Sequence, residues 1–470
     1  MKRKRNKKIE WILVGVFVIM QPVIVQAQKS LLTVDAFIQQ VRQYHPVAKQ
    51  ANLVTEAASA SLLAAKGAFD PVAGYTLDDK TLDGTNYYRY NNAELKIPTP
   101  LGIDLKAGFE NSEGNYKNPE LTTGVASYVG IEIPLLNGLL TDKKRAALKQ
   151  AKIYESQGEQ ERLTMINDLL FDAYNAYWQW TGSYKIYNTY KQFAETAAKR
   201  FELIKITYRN GDRAMADTIE ALSQWENMLL GLSEAALQLR NSELGLSQFL
   251  WNESGDPYLL PAAYLPDTSG FEQFLPLQAP DEINKQLAAT HPELRTWQYK
   301  IESLEVEKKL KFQSLLPTLN LKANALSKDY FTYNDFGSSY LQNNYKLGIT
   351  MKMPLLLRQG RGDYRNITIK SRQAALLRNQ KSWMLQNKVT QYYNEAMARK
   401  EQLVTTMSMY RNLSAVLRNE ELKFSQGESS LFLINSRENK TLEIQEKLIG
   451  LRIKYLKAVY AIDWASGTLR

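Results

Sequence analysis

Asp217 and Glu220 stand six and nine residues beyond the turn glycine Gly211, and at i and i+3 they share one helix face. Carboxylates so near a helix N-terminus complement the positive end of its dipole. The chain's two histidines each precede a proline, at His45-Pro46 and His291-Pro292, and read as positional features at helix starts rather than ligands. There is no cysteine, which excludes disulfides, thiolate metal sites and cysteine nucleophiles, and no lipid anchor built on cysteine is expected. No H-E-x-x-H, G-x-S-x-G, Walker loop or paired-carboxylate context stands out. The expectation is a protein that is not an enzyme, with no cofactor and no metal site.

The acidic pair is positioned by long helices. Gly138 to Leu250 reads as a helix of about 72 residues, a tight turn at Asn210-Gly211, and a second helix of about 38. Leu163, Ile166, Leu170, Ala173, Tyr177, Trp180, Tyr184 and Tyr187 step alternately by three and four, the signature of a coiled-coil seam. The aromatic stripe that includes Tyr177, Trp178, Trp180, Tyr184 and Tyr187 therefore reads as seam packing. The first helix would be roughly 100 Å long, wider than a compact soluble domain.

The 470 residues are 44% hydrophobic and 23% charged, a globular composition. Residues 1–27 combine six Lys/Arg, the apolar run Trp11–Met20 and the end Val25-Gln26-Ala27, and read as a secretory signal peptide. Without them, 59 basic and 49 acidic residues become 53 and 48, so the net charge falls from +10 to +5. Half of the basicity belongs to targeting, and no nucleic-acid partner is expected.

Thr33 to Lys66 reads as one helix and Arg358 to Ser425 as another, with further helices over 280–314 and 429–466. Between Pro71 and Pro134 the apolar period changes to two. Leu101, Ile103, Leu105, Ala107 and Phe109 alternate with polar or glycine positions, as do Ala93–Ile97, Val125–Ile133 and, more weakly, Ala73, Tyr75 and Leu77. The same alternation returns at Leu319–Ala325 and Tyr345–Met353. Residues 251–280 hold five of the fifteen prolines and read as an irregular connector wrapped over a surface.

The two halves repeat. His45-Pro46 recurs as His291-Pro292, Pro71 as Pro317, Pro134-Leu135 as Pro354-Leu355, and Gly211 as Gly427. The expected division is a first repeat over 28–250 (strand region 71–134, helical hairpin 138–250), the connector 251–280, and a second repeat over 281–470 (strand region 317–354, hairpin 358–466). In each half the two shorter helices together match the long one, so they can stack end to end along it.

Alternating strands on a secreted chain, aromatic clusters at loop bases (Tyr87, Tyr88, Tyr90; Tyr330, Phe331, Tyr333) and long polar loops resemble an outer-membrane barrel. An open sheet in lipid would leave backbone groups unpaired, and four to six strands are too few to close a pore, so several chains must contribute. The whole pattern over 28–470 resembles the TolC-type outer membrane efflux family. The resemblance rests on the duplicated helix–strand–strand–helix order and the junction prolines Pro71, Pro134, Pro317 and Pro354. It also rests on two turns, Tyr208 to Gly211 with Asp217 and Glu220, and Phe424 to Gly427 with Leu431 to Asn435.

The resemblance implies a mainly α fold with a β-barrel: a homotrimeric α-helical tunnel capped by a shared transmembrane barrel, in the Gram-negative outer membrane and extending into the periplasm. Implied partners are outer membrane lipid, a periplasmic adaptor (membrane fusion) protein and an inner-membrane RND or ABC transporter. The family closes its tunnel at the helical turns, which assigns Tyr208, Gly211, Asp217, Glu220, Phe424, Gly427 and Leu433 to a periplasmic gate or tip. The second turn departs from the family's acidic pattern, with Leu433 and Ser436 where carboxylates would stand, so closure there is expected to be apolar, through Phe424, Leu431, Phe432 and Leu433. The expected function is a passive exit duct for efflux. The alternatives are a duct dedicated to type I protein or polysaccharide secretion, and, least favoured, a structural coiled-coil protein of the envelope. The family implies twelve strands per trimer, whereas a hairpin over Ala93–Phe109 inside the barrel wall would give about eighteen.

Overall fold

The computed structural model describes residues 30–115, 122–328 and 343–469. The signal-peptide segment and the Tyr330, Phe331, Tyr333 cluster lie outside the described residues. In chain order the elements are β1 (Ser30–Leu32), α1 (Val34–Tyr44), α2 (Pro46–Gly67), β2 (Val72–Leu82), β3 (Thr85–Pro98), β4 (Asp104–Glu113), β5 (Gly124–Pro134), α3 (Lys143–Arg209) and α4 (Met215–Ser247). Then follow β6 (Tyr264–Pro266), α5 (Pro280–Thr290), α6 (Pro292–Gln313), β7 (Thr318–Lys328), β8 (Tyr345–Lys352), α7 (Arg358–Ser425) and α8 (Leu431–Ser466). Helices α1, α2 and α4 pack along α3, and α5, α6 and α8 along α7. Each long helix is therefore flanked by shorter ones stacked along its length. The two halves meet where α3 packs on α6 and α8.

The stretches 33–66 and 280–314 are each two helices rather than one. Proline has no N–H for the helical ladder and holds the preceding residue in extended backbone. His45 accordingly sits at φ −63°, ψ 135° and His291 at φ −69°, ψ 122°. Each imidazole Nδ1 accepts the N–H two residues on, from Val47 and from Glu293, both at 3.2 Å. Both histidines are helix N-caps, in the role that Ser or Asn usually takes.

The largest core forms where α1, α3, α8 and residues 246–277 converge. Tyr177, fully buried midway along α3, donates to the Leu32 carbonyl at 2.8 Å and stacks on Phe37 at 5.8 Å. Trp180, Leu170, Leu246 and Tyr455 are buried beside it. The connector expected to lie over a surface instead feeds this core. Phe271 is buried against Trp178 at 6.2 Å, and β6 pairs in parallel with β1, Ser30 opposite Tyr264.

Six strands form one antiparallel sheet in the order β2-β3-β4-β5-β7-β8. The hairpin β3–β4 sits inside it, paired on both sides. Register places Leu95, Ala107, Val129, Ala325 and Tyr345 in one row and Ile97, Leu105, Ile131, Ala323 and Leu347 in the next, all on one face. Most of the large side chains of this face are exposed. The opposite face carries charge: Lys96 pairs with Asp104 at 2.8 Å, and Lys106 with Glu132 at 3.0 Å. There Tyr128 also donates to Glu94 at 2.8 Å. The edge strands β2 and β8 are exposed along their full lengths. Among the described residues, no helix is long and apolar enough to cross a membrane.

All four junction prolines lie at one end of the sheet, Pro71 and Pro317 before β2 and β7, Pro134 at the end of β5 and Pro354 after β8. Two junctions bond to each other, the Leu135 N–H reaching the Leu319 carbonyl at 2.7 Å and the Asn137 N–H the Pro317 carbonyl at 3.2 Å.

Only 5% of His291 is exposed, and burial lowers its pKa from 6.5 to about 4. The neutral ring's stabilising contribution is complete above pH 6.5 and is lost as the pH falls through 4. His291→Asn keeps a capping side chain but removes the titration. Its melting temperature relative to wild type should therefore rise by several degrees as the pH falls across that window. A difference that stays constant with pH would contradict a buried neutral ring.

Candidate functional site

At the end of the helices remote from the sheet lie two similar turns. After α3, Asn210 caps the helix, Gly211 takes φ +86°, and the Asp212 N–H reaches back to the Thr207 carbonyl at 3.0 Å. After α7, Gln426 caps, Gly427 takes φ +81°, and the Glu428 N–H reaches the Lys423 carbonyl at 2.9 Å. Both are Schellman endings, and the left-handed residue is glycine because its backbone takes positive φ without the strain that an L side chain brings.

The two tips touch. Ile204 of α3, Ala221 of α4 and Leu431 of α8 form a small buried cluster flanked by Phe201 and Phe424. Arg213 lies over the Phe424 ring at 4.7 Å and reaches Asp217 at 3.8 Å, so one guanidinium links both turns. Asn435 of α8 donates to Glu220 at 3.2 Å. Both acids of the first turn thus have partners. Tyr208 is exposed at the end of α3 and Leu433 on the outer side of α8, and Phe432 is exposed beside it. Of the four residues expected to make an apolar closure, Phe424 and Leu431 pack inward, and Phe432 and Leu433 face out.

About 16 Å further from the tips, at 1.5 Å per residue, runs a network that sequence reasoning missed. Arg200 of α3 makes a two-pronged ion pair with Glu438 of α8, at 2.9 and 3.1 Å. Gln224 of α4 donates to Glu438 at 3.2 Å and to Asn439 at 2.9 Å, and Glu421 of α7 stands 3.8 Å from Arg200. All four helices of the two hairpins therefore contribute to one polar knot. Between it and the tips is a groove of about 640 Å³ lined by Arg200, Leu203, Thr207, Glu421, Phe424 and Ile434, among others. The available signal was the seam of α8, in which Asn435 and Glu438 interrupt the apolar series Leu431, Ile434, Leu442.

The side chains of Arg200 and Glu438 are only 10% and 2% exposed, so removing one partner strands a buried charge. Glu438→Leu alone, or Arg200→Met alone, should cost about 3–5 kcal/mol. The pairwise replacement Arg200→Met with Glu438→Leu should recover most of that loss. Denaturant melts of the four proteins of this cycle decide it, and additive losses in the double variant would disprove the pairing.

Residues 37–250 match the outer membrane efflux protein family. No curated protein matches the chain. Among solved structures, the Campylobacter jejuni CmeC outer membrane channel is 12% identical with a TM-score of 0.64, over 93% of this chain and 86% of that one. The Vibrio cholerae outer membrane protein VceC is 13% identical with a TM-score of 0.62, over 92% and 96%. The open-state Neisseria gonorrhoeae MtrE outer membrane channel is 11% identical with a TM-score of 0.65, over 93% and 89%. At such identities the likeness is one of fold, and it extends through both hairpins and the sheet. The family match over residues 37–250, with the channel fold shared through the rest of the chain, aligns this protein with the outer membrane efflux proteins.

Proposed function

We propose that the chain is the outer-membrane exit duct of a tripartite efflux system, a passive channel energised by an inner-membrane RND or ABC transporter through a periplasmic adaptor. The observation that supports this reading is the two-faced sheet with two unpaired edges, set on one end of long helical hairpins. Its strands of 8 to 14 residues suit a bilayer crossing. An apolar outside and a charged inside are what lipid and a water-filled lumen require. Closure joins β8 of one copy to β2 of the next. With six strands per copy the up-down order continues without a break, and the homotrimer implied by the family holds eighteen strands instead of the expected twelve. A barrel of that size leaves an aqueous channel. In this reading 28–250 and 281–470 are repeats of one unit, turned at the prolines from barrel to tunnel.

The tips close the tunnel in the periplasm and receive the adaptor. Asp217 and Glu220, braced by Arg213 and Asn435, hold the first turn against the second, while Tyr208, Phe432 and Leu433 are exposed for contact with other copies or the adaptor. Asp217→Asn with Glu220→Gln loosens that bracing, and single-channel conductance in planar bilayers should rise several-fold with weaker cation preference. Unchanged conductance and selectivity would remove the acids from the gate.

The chain has no cysteine of its own, so edge pairing can be tested cleanly. Thr76→Cys on β2 and Gly348→Cys on β8 lie on the same face at opposite edges of the sheet. Oxidation of the double variant in outer membranes should give covalent dimers and trimers on denaturing gels. Monomer alone, from this pair and from pairs shifted by two residues, would refute edge-to-edge closure.

A further inference from the structure

Just beyond the junction prolines, the two long helices begin with bases. Lys143, Lys144 and Lys149 are exposed in the first two turns of α3, and Arg358, Arg361 and Arg365 in those of α7. Neither first turn contains an acid, whereas α1, α5 and α6 begin with Asp35, Asp281 with Glu282, and Glu293. Bases at a helix N-terminus oppose the dipole, so helix stability does not account for them. Neighbouring acids do not neutralise them either. Asp142 is taken by Arg145 at 3.1 Å and Asp363 by Lys311 at 2.9 Å, which leaves Asp70 and, next to the Ser303 carbonyl that Gln150 bonds, Glu302 as exposed acids nearby.

Between these bases and the apolar sheet face is a rim of bare leucines. Leu101 in the β3–β4 turn is 79% exposed, Leu140 before α3 is 80% exposed, and Leu355 after β8 is 93% exposed. Arg145 fixes this rim, donating to the carbonyls of Leu139 at 3.1 Å, of Leu101 at 3.5 Å and of Gly138. Leucines beside an apolar band, with lysine and arginine one or two turns further out, form the layered pattern of a surface that sits in a bilayer interface. The bases span about 10 Å of helix, within reach of one headgroup layer at physiological ionic strength.

We infer that the starts of α3 and α7 form a basic collar that binds the headgroups of anionic phospholipid in the tunnel-side leaflet, seated by the leucine rim. The inference rests on the duct reading, because that reading sets the sheet in the membrane. Three copies would place eighteen exposed bases around the duct at headgroup depth, against six exposed acids, Asp70 and Glu302 of each copy. The collar fixes the depth of the duct and ties its seating to the charge of the leaflet.

The test uses the full-length protein in nanodiscs of phosphatidylcholine alone or mixed equally with phosphatidylglycerol. The wild-type melting temperature should be several degrees higher in the mixed discs, and the gain should vanish in high salt. In the K143Q/K144Q/K149Q/R358Q/R361Q/R365Q variant the gain should be absent at low salt as well. Native mass spectrometry of wild type should retain phosphatidylglycerol in preference to phosphatidylcholine, a readout independent of whether the variant folds. An equal gain in the variant, no gain in wild type, or the same gain from soluble glycerol phosphate added to neutral discs would each overturn the collar. Planar-bilayer conductance of the variant separates the two ideas: conduction without a lipid response leaves the duct standing and removes the collar, whereas loss of conduction by wild type removes the duct.

Discussion

Among the described residues, backbone N–H and C=O groups along β2 and β8 have strand partners on one side only. In water such an edge is a hazard that proteins hide, and in hydrocarbon each unpaired group costs several kcal/mol. The apolar rows through Leu95 to Tyr345 make the sheet unsuited to water on that face. The ion pairs of Lys96 and Lys106 make it unsuited to lipid on the other. In the proposed duct, edge pairing between copies satisfies both faces and both edges at once, and much of the rest of the chain would follow from that closed ring. The hairpins must descend from one rim, which is where all four junction prolines stop the strands.

The helical part is braced very differently along its length. Around Tyr177 the bracing is aromatic and dry: Phe37, Trp178, Trp180 and Phe271 interlock with Tyr455 and Leu456, and the tyrosine hydroxyl is spent on the Leu32 carbonyl. Close packing of that kind resists deformation. Towards the tips the contacts become polar and half-exposed, through Arg213 with Asp217 and Asn435 with Glu220. Such contacts exchange for water at a net cost of about 1 kcal/mol each. The Arg200–Glu438 pair lies between the two regimes, buried and able to resist separation of the hairpins.

Periodicity made the helices legible, and α7 runs from Arg358 to Ser425 as its seam indicates. The breaks at His45 and His291 were missed because the apolar spacing continues across them, while the N–H that proline lacks leaves no trace in a hydrophobic pattern. Alternation located the strands, but the place of β3–β4 within the sheet depends on pairing with β2 and β5, which no single strand encodes. Glycine located both tips, since Gly211 and Gly427 each require positive φ. Arg200 and Glu438 are 238 residues apart, and each alone reads as an ordinary charge on a long helix. Their partnership becomes visible only when the two hairpins are laid side by side.

That pairing of hairpins also explains why the two turns carry different residues. Had both tips carried the Asp217 and Glu220 pattern, each chain would bring four carboxylates to one small region with only Arg213 to answer them. Instead α8 supplies Asn435 as a donor to Glu220 and keeps its own carboxylate, Glu438, about one turn deeper, where Arg200 neutralises it. Amide opposite acid near the mouth, and guanidinium opposite acid further in, let two acidic groups face two different partners without mutual repulsion. Donor and acceptor are divided between the halves, so neither hairpin can complete the tip alone. The two tips are held together through the difference between the two halves, and in the proposed duct the sheet is closed through copies of the same chain.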